Sequence, residues 1–118
     1  MPQKTTEKVK FKMKFCKLEI FIPKTYFTQL LLTLQKVGAG HIGNYDSCLS
    51  YSEVIGMWRP LSNANPFLGE QGKTSQETEL KVEVRILHER LNETLEAIKK
   101  IHPYEMPVIN IIPILNEE

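Results

Sequence analysis

Four segments of this chain are rich in apolar residues: residues 15–22, 49–58, 80–87 and 108–115. In the first and the third, every second residue is apolar. A period of two places alternate side chains on opposite faces, which is typical of a β-strand with one face in a core. In the third segment Leu80, Val82, Val84 and Ile86 fall on one face and charged residues on the other. We therefore predict four strands.

Two further segments have helical periodicity, with apolar residues three and four positions apart. The first contains Phe27, Leu30, Leu31, Leu34 and Val37, and Gly38 follows it. The second runs from about residue 89 to residue 101, and Pro103 ends it. The predicted order is strand, helix, strand, strand, helix, strand. This order is that of the ferredoxin-like plait, an α+β fold in which two helices cover one face of a four-stranded antiparallel sheet.

The open face of that sheet is half apolar and half charged. Strand three presents charges that can pair with Lys17 and Glu19 of strand one across the ladder. A half-apolar open face predicts burial against a partner, most simply a second copy of the chain. Strand three separates strands one and two, so we expect no disulfide between Cys16 and Cys48.

Length and charge suggest one domain preceded by a basic tail. The chain has 118 residues, and we assign 1–12 to a flexible tail and 13–118 to a single domain. Residues 1–17 contain six lysines and one glutamate. This segment has no arginine and no aromatic residue before Phe11, so we predict no nucleic-acid partner. No apolar run is long enough for a membrane span or a secretory signal, and we predict a cytoplasmic protein.

Residues 38–43 read GAGHIG and match the spacing GxGxxG. A dinucleotide-binding motif requires a strand before it and a helix after it, whereas here a helix precedes and a strand follows. The segment therefore predicts a helix cap and a tight turn. Its backbone N–H groups could also form a nest for an anion.

The predicted loop of residues 59–76 is long and rich in Pro, Gly and Asn. It contains Phe67 and Leu68, which would lose burial unless the loop folds back or packs on another subunit or a ligand. Gly72 and Lys73 could offer a backbone amide and a cation to an anionic ligand. The alternative is a structured hairpin extension without a ligand.

The histidines form no local zinc signature. His102 lies at the end of the second helix, where an imidazole often satisfies carbonyls. Alternatively, His102 and Glu105 could contribute to a divalent metal site completed by distant segments. The sequence contains no recognisable catalytic set.

Three segments together resemble a known family: residues 38–48 (GAGHIGNYDSC), 59–72 (RPLSNANPFLGEQG) and 102–107 (HPYEMP). They resemble the insert domain of the Nif-three-like (YqfO-type) proteins, which is similar in fold to CutA and PII signalling proteins. The resemblance implies a trimer, with ligands in clefts between subunits beside the loop that joins strands two and three. In full-length relatives the insert lies between two halves of a dimetal domain. Those halves have no counterpart here, so we do not transfer the hydrolase-like activity.

We therefore expect a non-enzymatic homotrimeric module that binds a small ligand or a protein partner. The alternatives are a divalent metal-binding CutA-like protein and a purely structural oligomerisation module. No cofactor is predicted beyond that divalent metal. The predicted ligand-binding set is His41, Asn44, Tyr45, Gly72, Lys73, His102, Tyr104 and Glu105.

Overall fold

The computed structural model describes residues 11–117, with side chains from 13 to 116. Its strands are β1 (Phe11–Ile22), β2 (Leu49–Trp58), β3 (Ser75–Leu87) and β4 (Ile109–Glu117), and its helices are α1 (Phe27–Lys36) and α2 (Leu91–Ile101). The strands form one sheet in the order β2-β3-β1-β4, and each neighbouring pair is antiparallel. The predicted ferredoxin-like α+β fold is confirmed.

Element bounds differ from the prediction mainly at the strand starts. β2 has the predicted bounds, whereas β3 begins five residues earlier than predicted, at Ser75. β1 begins at Phe11, so residues 11 and 12 lie in a strand and not in the predicted tail. Residues 1–10 of that tail lie outside the described residues. Short 3-10 turns, Lys24–Tyr26 and His88–Arg90, lead into the two helices.

The core lies between the sheet and the two helices. Alternate residues of β1 and β3 face it, and Leu18, Ile20 and Val82 are fully buried. Leu30 of α1 and Ile98 of α2 close the other side. Burial of such side chains stabilises the fold by about 1.5–3 kcal/mol each, so this layer holds the helices on the sheet.

The opposite face of the sheet carries the predicted network of charges. Lys17 Nζ lies 2.8 Å from Glu83 and 3.6 Å from Glu19, and Lys81 Nζ lies 3.5 Å from Glu19. The two ion pairs that join these strands run diagonally across the β1–β3 ladder, in which Lys17 lies opposite Arg85 and Glu19 opposite Glu83. Cys16 and Cys48 are both free, as predicted.

The β2–β3 ladder extends beyond the end of β1. Ile22, the last residue of β1, pairs with Leu80, which in turn pairs with Glu53. Residues 54–58 and 75–79 continue the pairing beyond this level, a length of about 17 Å. We call this projecting part the hairpin arm. No helix within residues 11–117 is long and apolar enough to cross a membrane.

Candidate functional site

A cleft of about 370 Å³ lies between the hairpin arm, the loop of residues 59–74 and the segment of residues 102–108. The side chains that matter most for its chemistry are Trp58, Phe67, Glu79, Tyr104 and Glu105. Its remaining lining is largely apolar, including Met57 and Val108. An apolar cleft with a few polar groups is the usual form of a small-molecule site.

Four aromatic side chains line the cleft: Phe21, Trp58, Phe67 and Tyr104. The ring of Tyr104 lies 6.3 Å from that of Trp58 and 6.2 Å from that of Phe67, measured between centroids. Trp58 is the last residue of β2, and its indole N–H donates to the Leu68 carbonyl at 3.0 Å. Phe67 also meets the edge of Tyr26 at 6.1 Å. These contacts show that the loop folds back onto the domain and supplies one wall.

A buried carboxylate lies at the base of the arm. Glu79 is only 8% exposed, and the Tyr104 hydroxyl donates to its Oε2 at 3.1 Å. The arm accommodates this carboxylate because residue 56 is glycine: a Cβ there would overlap Glu79 Oε1. Burial, together with the charge and hydrogen bond of Glu79, raises the pKa of Tyr104 well above its usual range. Tyr104 therefore remains a hydrogen-bond donor at neutral pH.

Short hydrogen bonds fix the loop above the cleft. Glu105 Oε2 accepts from the Asn65 N–H at 2.6 Å, which ties the loop to the segment after α2. The Gly72 N–H donates to the Pro60 carbonyl at 2.7 Å and closes the loop on itself. Lys73 Nζ pairs with Glu70 at 2.8 Å in a highly exposed position. Gly72 and Lys73 thus belong to the loop but do not line the cleft.

His102 positions the segment that carries Tyr104 and Glu105. Its ring is buried, Nε2 lies 2.7 Å from the Phe21 carbonyl, and Nδ1 accepts from the Tyr104 N–H at 3.2 Å. Since Nδ1 is the acceptor, Nε2 carries the proton and donates to Phe21. Burial lowers the pKa of His102, and the hydrogen bond to Phe21 opposes this only in part. The neutral ring therefore holds the end of α2 against the end of β1.

The remaining predicted residues lie elsewhere. His41, Asn44 and Tyr45 are exposed in the turn that follows α1. That turn is hydrogen-bonded to β3 at Arg85, whose carbonyl accepts from the Gly40 N–H at 3.0 Å. Arg85 and Glu79 are six residues apart on β3, or about 20 Å. Within a single chain the glycine-rich turn and the HPYE segment therefore lie at opposite ends of the sheet.

Sequence reasoning did not identify Glu79, Gly56 or Trp58 as site residues. Glu79 lies just before the predicted third strand, in a segment without alternating apolar residues. Trp58 followed by a long loop was the available signal, since a large aromatic residue at a strand end needs a partner. Between residues 13 and 116, no three His, Cys, Asp or Glu side chains are grouped in a way that could hold a metal ion.

The chain is similar to known proteins in both sequence and structure. Residues 68–118 match the family model "CutA1 divalent ion tolerance protein". A "GTP cyclohydrolase 1 type 2 homolog" of Halalkalibacterium halodurans is 40% identical over 101 residues, which cover 86% of this chain and 27% of the relative. The chain thus spans about a quarter of the length of the curated relatives it matches.

Solved structures similar to this chain also include NIF3-related and CutA proteins. A Bacillus cereus protein related to NIF3 superposes with a TM-score of 0.75 at 27% identity, over 93% of this chain and 28% of that one. The periplasmic divalent cation tolerance protein CutA of Archaeoglobus fulgidus has a TM-score of 0.63 at 20% identity, over 85% and 83% of the two chains. For B. subtilis GlnK the TM-score is 0.59 at 20% identity, over 86% and 85%.

These matches define the chain first as a protein with the CutA/PII-like form of the ferredoxin-like fold. Within that class, its sequence and structure are similar to a domain-length part of the NIF3-related proteins. The resemblance to the Nif-three-like insert domain, drawn from three motifs, is confirmed.

Proposed function

We propose that this chain is a non-enzymatic, self-associating module, a homotrimer, that binds a small molecule in the cleft beneath the 59–74 loop. The observation that carries the proposal is the cleft itself, with its aromatic walls and buried Glu79–Tyr104 pair. Like the site that the family resemblance implies, the cleft lies beside the loop between β2 and β3, but its lining residues come from one chain. The relatives' cyclohydrolase name belongs to proteins about three times as long as this chain and supports no activity for it.

The chemistry of the site favours binding over catalysis. Tyr104 has a raised pKa and does not act as a base at neutral pH. Both ring nitrogens of His102 are engaged in hydrogen bonds that hold the backbone. The polar groups around the cleft therefore hold its backbone in place and orient a ligand, and the apolar walls supply the contact area.

Loss of one aromatic wall tests the proposal. Trp58 is the only tryptophan, so its fluorescence reports on the cleft directly. We expect a panel of small apolar compounds to contain binders that shift the Trp58 emission. Phe67→Ala should weaken their binding about tenfold, because stacking and contact area are lost.

The matched control is Leu61→Ala, an exposed apolar side chain of the same loop that does not line the cleft. It should bind as the unchanged protein does. Equal binding by the two variants, or a panel without a single binder, would contradict the proposal. Stabilisation by zinc or copper that is lost in a His102→Ala, Glu105→Ala double variant would favour the metal-binding alternative.

A further inference from the structure

We infer that the ligand class of this cleft is a small organic cation with an apolar surface, of which a methylated ammonium group is the simplest form. The inference rests on the proposed function, since it specifies what the proposed site takes. Two independent features of the cleft support it: an incompletely partnered carboxylate and a set of aromatic rings.

The carboxylate is that of Glu79. It is only 8% exposed and lines the cleft. Within residues 13–116 it makes no ion pair, and the Tyr104 hydroxyl is its one hydrogen-bond donor. Its second oxygen, Oε1, lies over Gly56 and keeps some solvent contact in the cleft, and no donor among residues 13–116 reaches it. A buried carboxylate is normally neutralised by a cation or by several donors, so this group favours a positively charged occupant.

The aromatic rings favour one kind of cation. Trp58, Phe67 and Tyr104 all line the cleft, and the Tyr104 ring lies 6.3 Å from that of Trp58 and 6.2 Å from that of Phe67. A cation over such ring faces is attracted by their quadrupoles, and aromatic cages recognise quaternary and methylated ammonium groups in this way. A methylated ammonium is weakly hydrated and also buries apolar surface. A metal ion would need many more oxygen ligands than the cleft offers.

The charges around the cleft agree with this assignment. Glu79 and Glu105 line it against one basic side chain, the exposed Arg59. Each carboxylate accepts one hydrogen bond, Glu105 from the Asn65 N–H and Glu79 from the Tyr104 hydroxyl, but Glu105 is exposed and Glu79 is buried. Glu79 is therefore the carboxylate whose charge water screens less. The balance of these side chains is negative, and it disfavours an anionic ligand in this cleft.

Choline and dimethylbutanol provide a matched pair of probes. The alcohol has the shape of choline, but a tert-butyl group replaces the trimethylammonium group, so the two differ in charge. We expect choline to shift the Trp58 emission and to bind about tenfold or more tightly than the alcohol. This comparison uses the unchanged full chain and depends on no variant.

Two variants then locate the charge that matters. Glu79→Gln keeps an oxygen acceptor for Tyr104 but removes the negative charge. It should weaken choline binding about tenfold and leave alcohol binding unchanged. Glu96→Gln removes the same charge from an exposed position on α2 and should change neither.

The outcomes separate this inference from the proposed function. If the alcohol binds as well as choline, the cleft is a ligand site but the assignment to cations is wrong. If neither probe binds while other compounds of the panel do, the assignment is wrong as well. Equal choline binding by Glu79→Gln and Glu96→Gln would also overturn it. If no compound of any kind binds, the proposed function itself fails.

Discussion

The protonation of His102 is coupled to folding. Its pKa in the folded chain is lower than the ordinary value of 6.5 because the ring is buried. The unfolded chain therefore takes up a proton first as the pH falls. The contribution of neutral His102 to stability is complete above about pH 6.5 and is lost as the pH falls through the lower, folded pKa.

We predict that His102→Ala lowers the free energy of unfolding by about 1–3 kcal/mol at pH 7.5, since the Phe21 carbonyl loses its donor. In the same variant, the free energy of unfolding should also change less between pH 7.5 and 5 than it does in the unchanged protein. Urea unfolding at several pH values measures both effects. His41→Ala, at an exposed position, is the control. A variant that keeps the full pH dependence would show that another group causes it.

At the residue scale, part of the candidate site could be predicted from sequence. Tyr104 and Glu105 follow from the HPYE motif, and both line the cleft. Glu79 and Gly56 could not be found in this way. They meet only because the β2–β3 register places Glu79 opposite Val54, from where its carboxylate reaches over Gly56. That register is a property of the folded hairpin.

The elements themselves could be predicted where they touch the core. Periodicity identified both helices and the strands β1 and β3, because helix and strand faces must each bury apolar side chains. The segments of β2 and β4 are rich in apolar residues but do not alternate cleanly. The first part of β3, SQETE, escaped prediction because the hairpin arm projects beyond the helices. With no core to cover, the arm shows no apolar alternation. Thr25 lies within the 3-10 turn before α1, and no side chain caps that helix.

The turn after α1 depends on backbone conformations that favour glycine. Gly40 has a φ of +76°, and a Cβ there would lie 2.8 Å from the Cys48 carbonyl oxygen. Gly43 has a φ of +56°, but a Cβ there would meet open space. Substitutions at these two positions therefore distinguish the cost of backbone strain alone, at Gly43, from the cost of strain and steric overlap together, at Gly40.

We predict that Gly43→Ala lowers the free energy of unfolding by about 1 kcal/mol, the strain of a left-handed residue. Gly40→Ala should lower it by at least about 2–3 kcal/mol, because overlap is added to strain. Chemical denaturation of both variants measures the difference. Equal losses would show that the turn relaxes freely around residue 40.

At the scale of the whole molecule, two separate apolar patches remain exposed. One is on β2, where Ile55 is 66% and Met57 65% exposed. The other is on β4, where Ile111 is 43% and Leu115 60% exposed. β2 and β4 are the two opposite edges of the sheet. A symmetric dimer would bring one patch against itself, whereas pairing two different patches joins copies head to tail and can close a ring.

The patches therefore support the proposed homotrimer. We predict that Ile111→Asp breaks the assembly, because a carboxylate would be desolvated without a partner. Leu32→Asp changes an exposed apolar residue of α1, which belongs to neither edge strand, and should leave the assembly intact.

Native mass spectrometry of the freshly purified protein tests this account most directly, since it reports the number of subunits and any retained small molecule together. We predict the mass of three 13.7-kDa chains with bound ligand, and single chains for Ile111→Asp. A protein that stays at the mass of one chain at micromolar concentration, with nothing bound, would contradict the account.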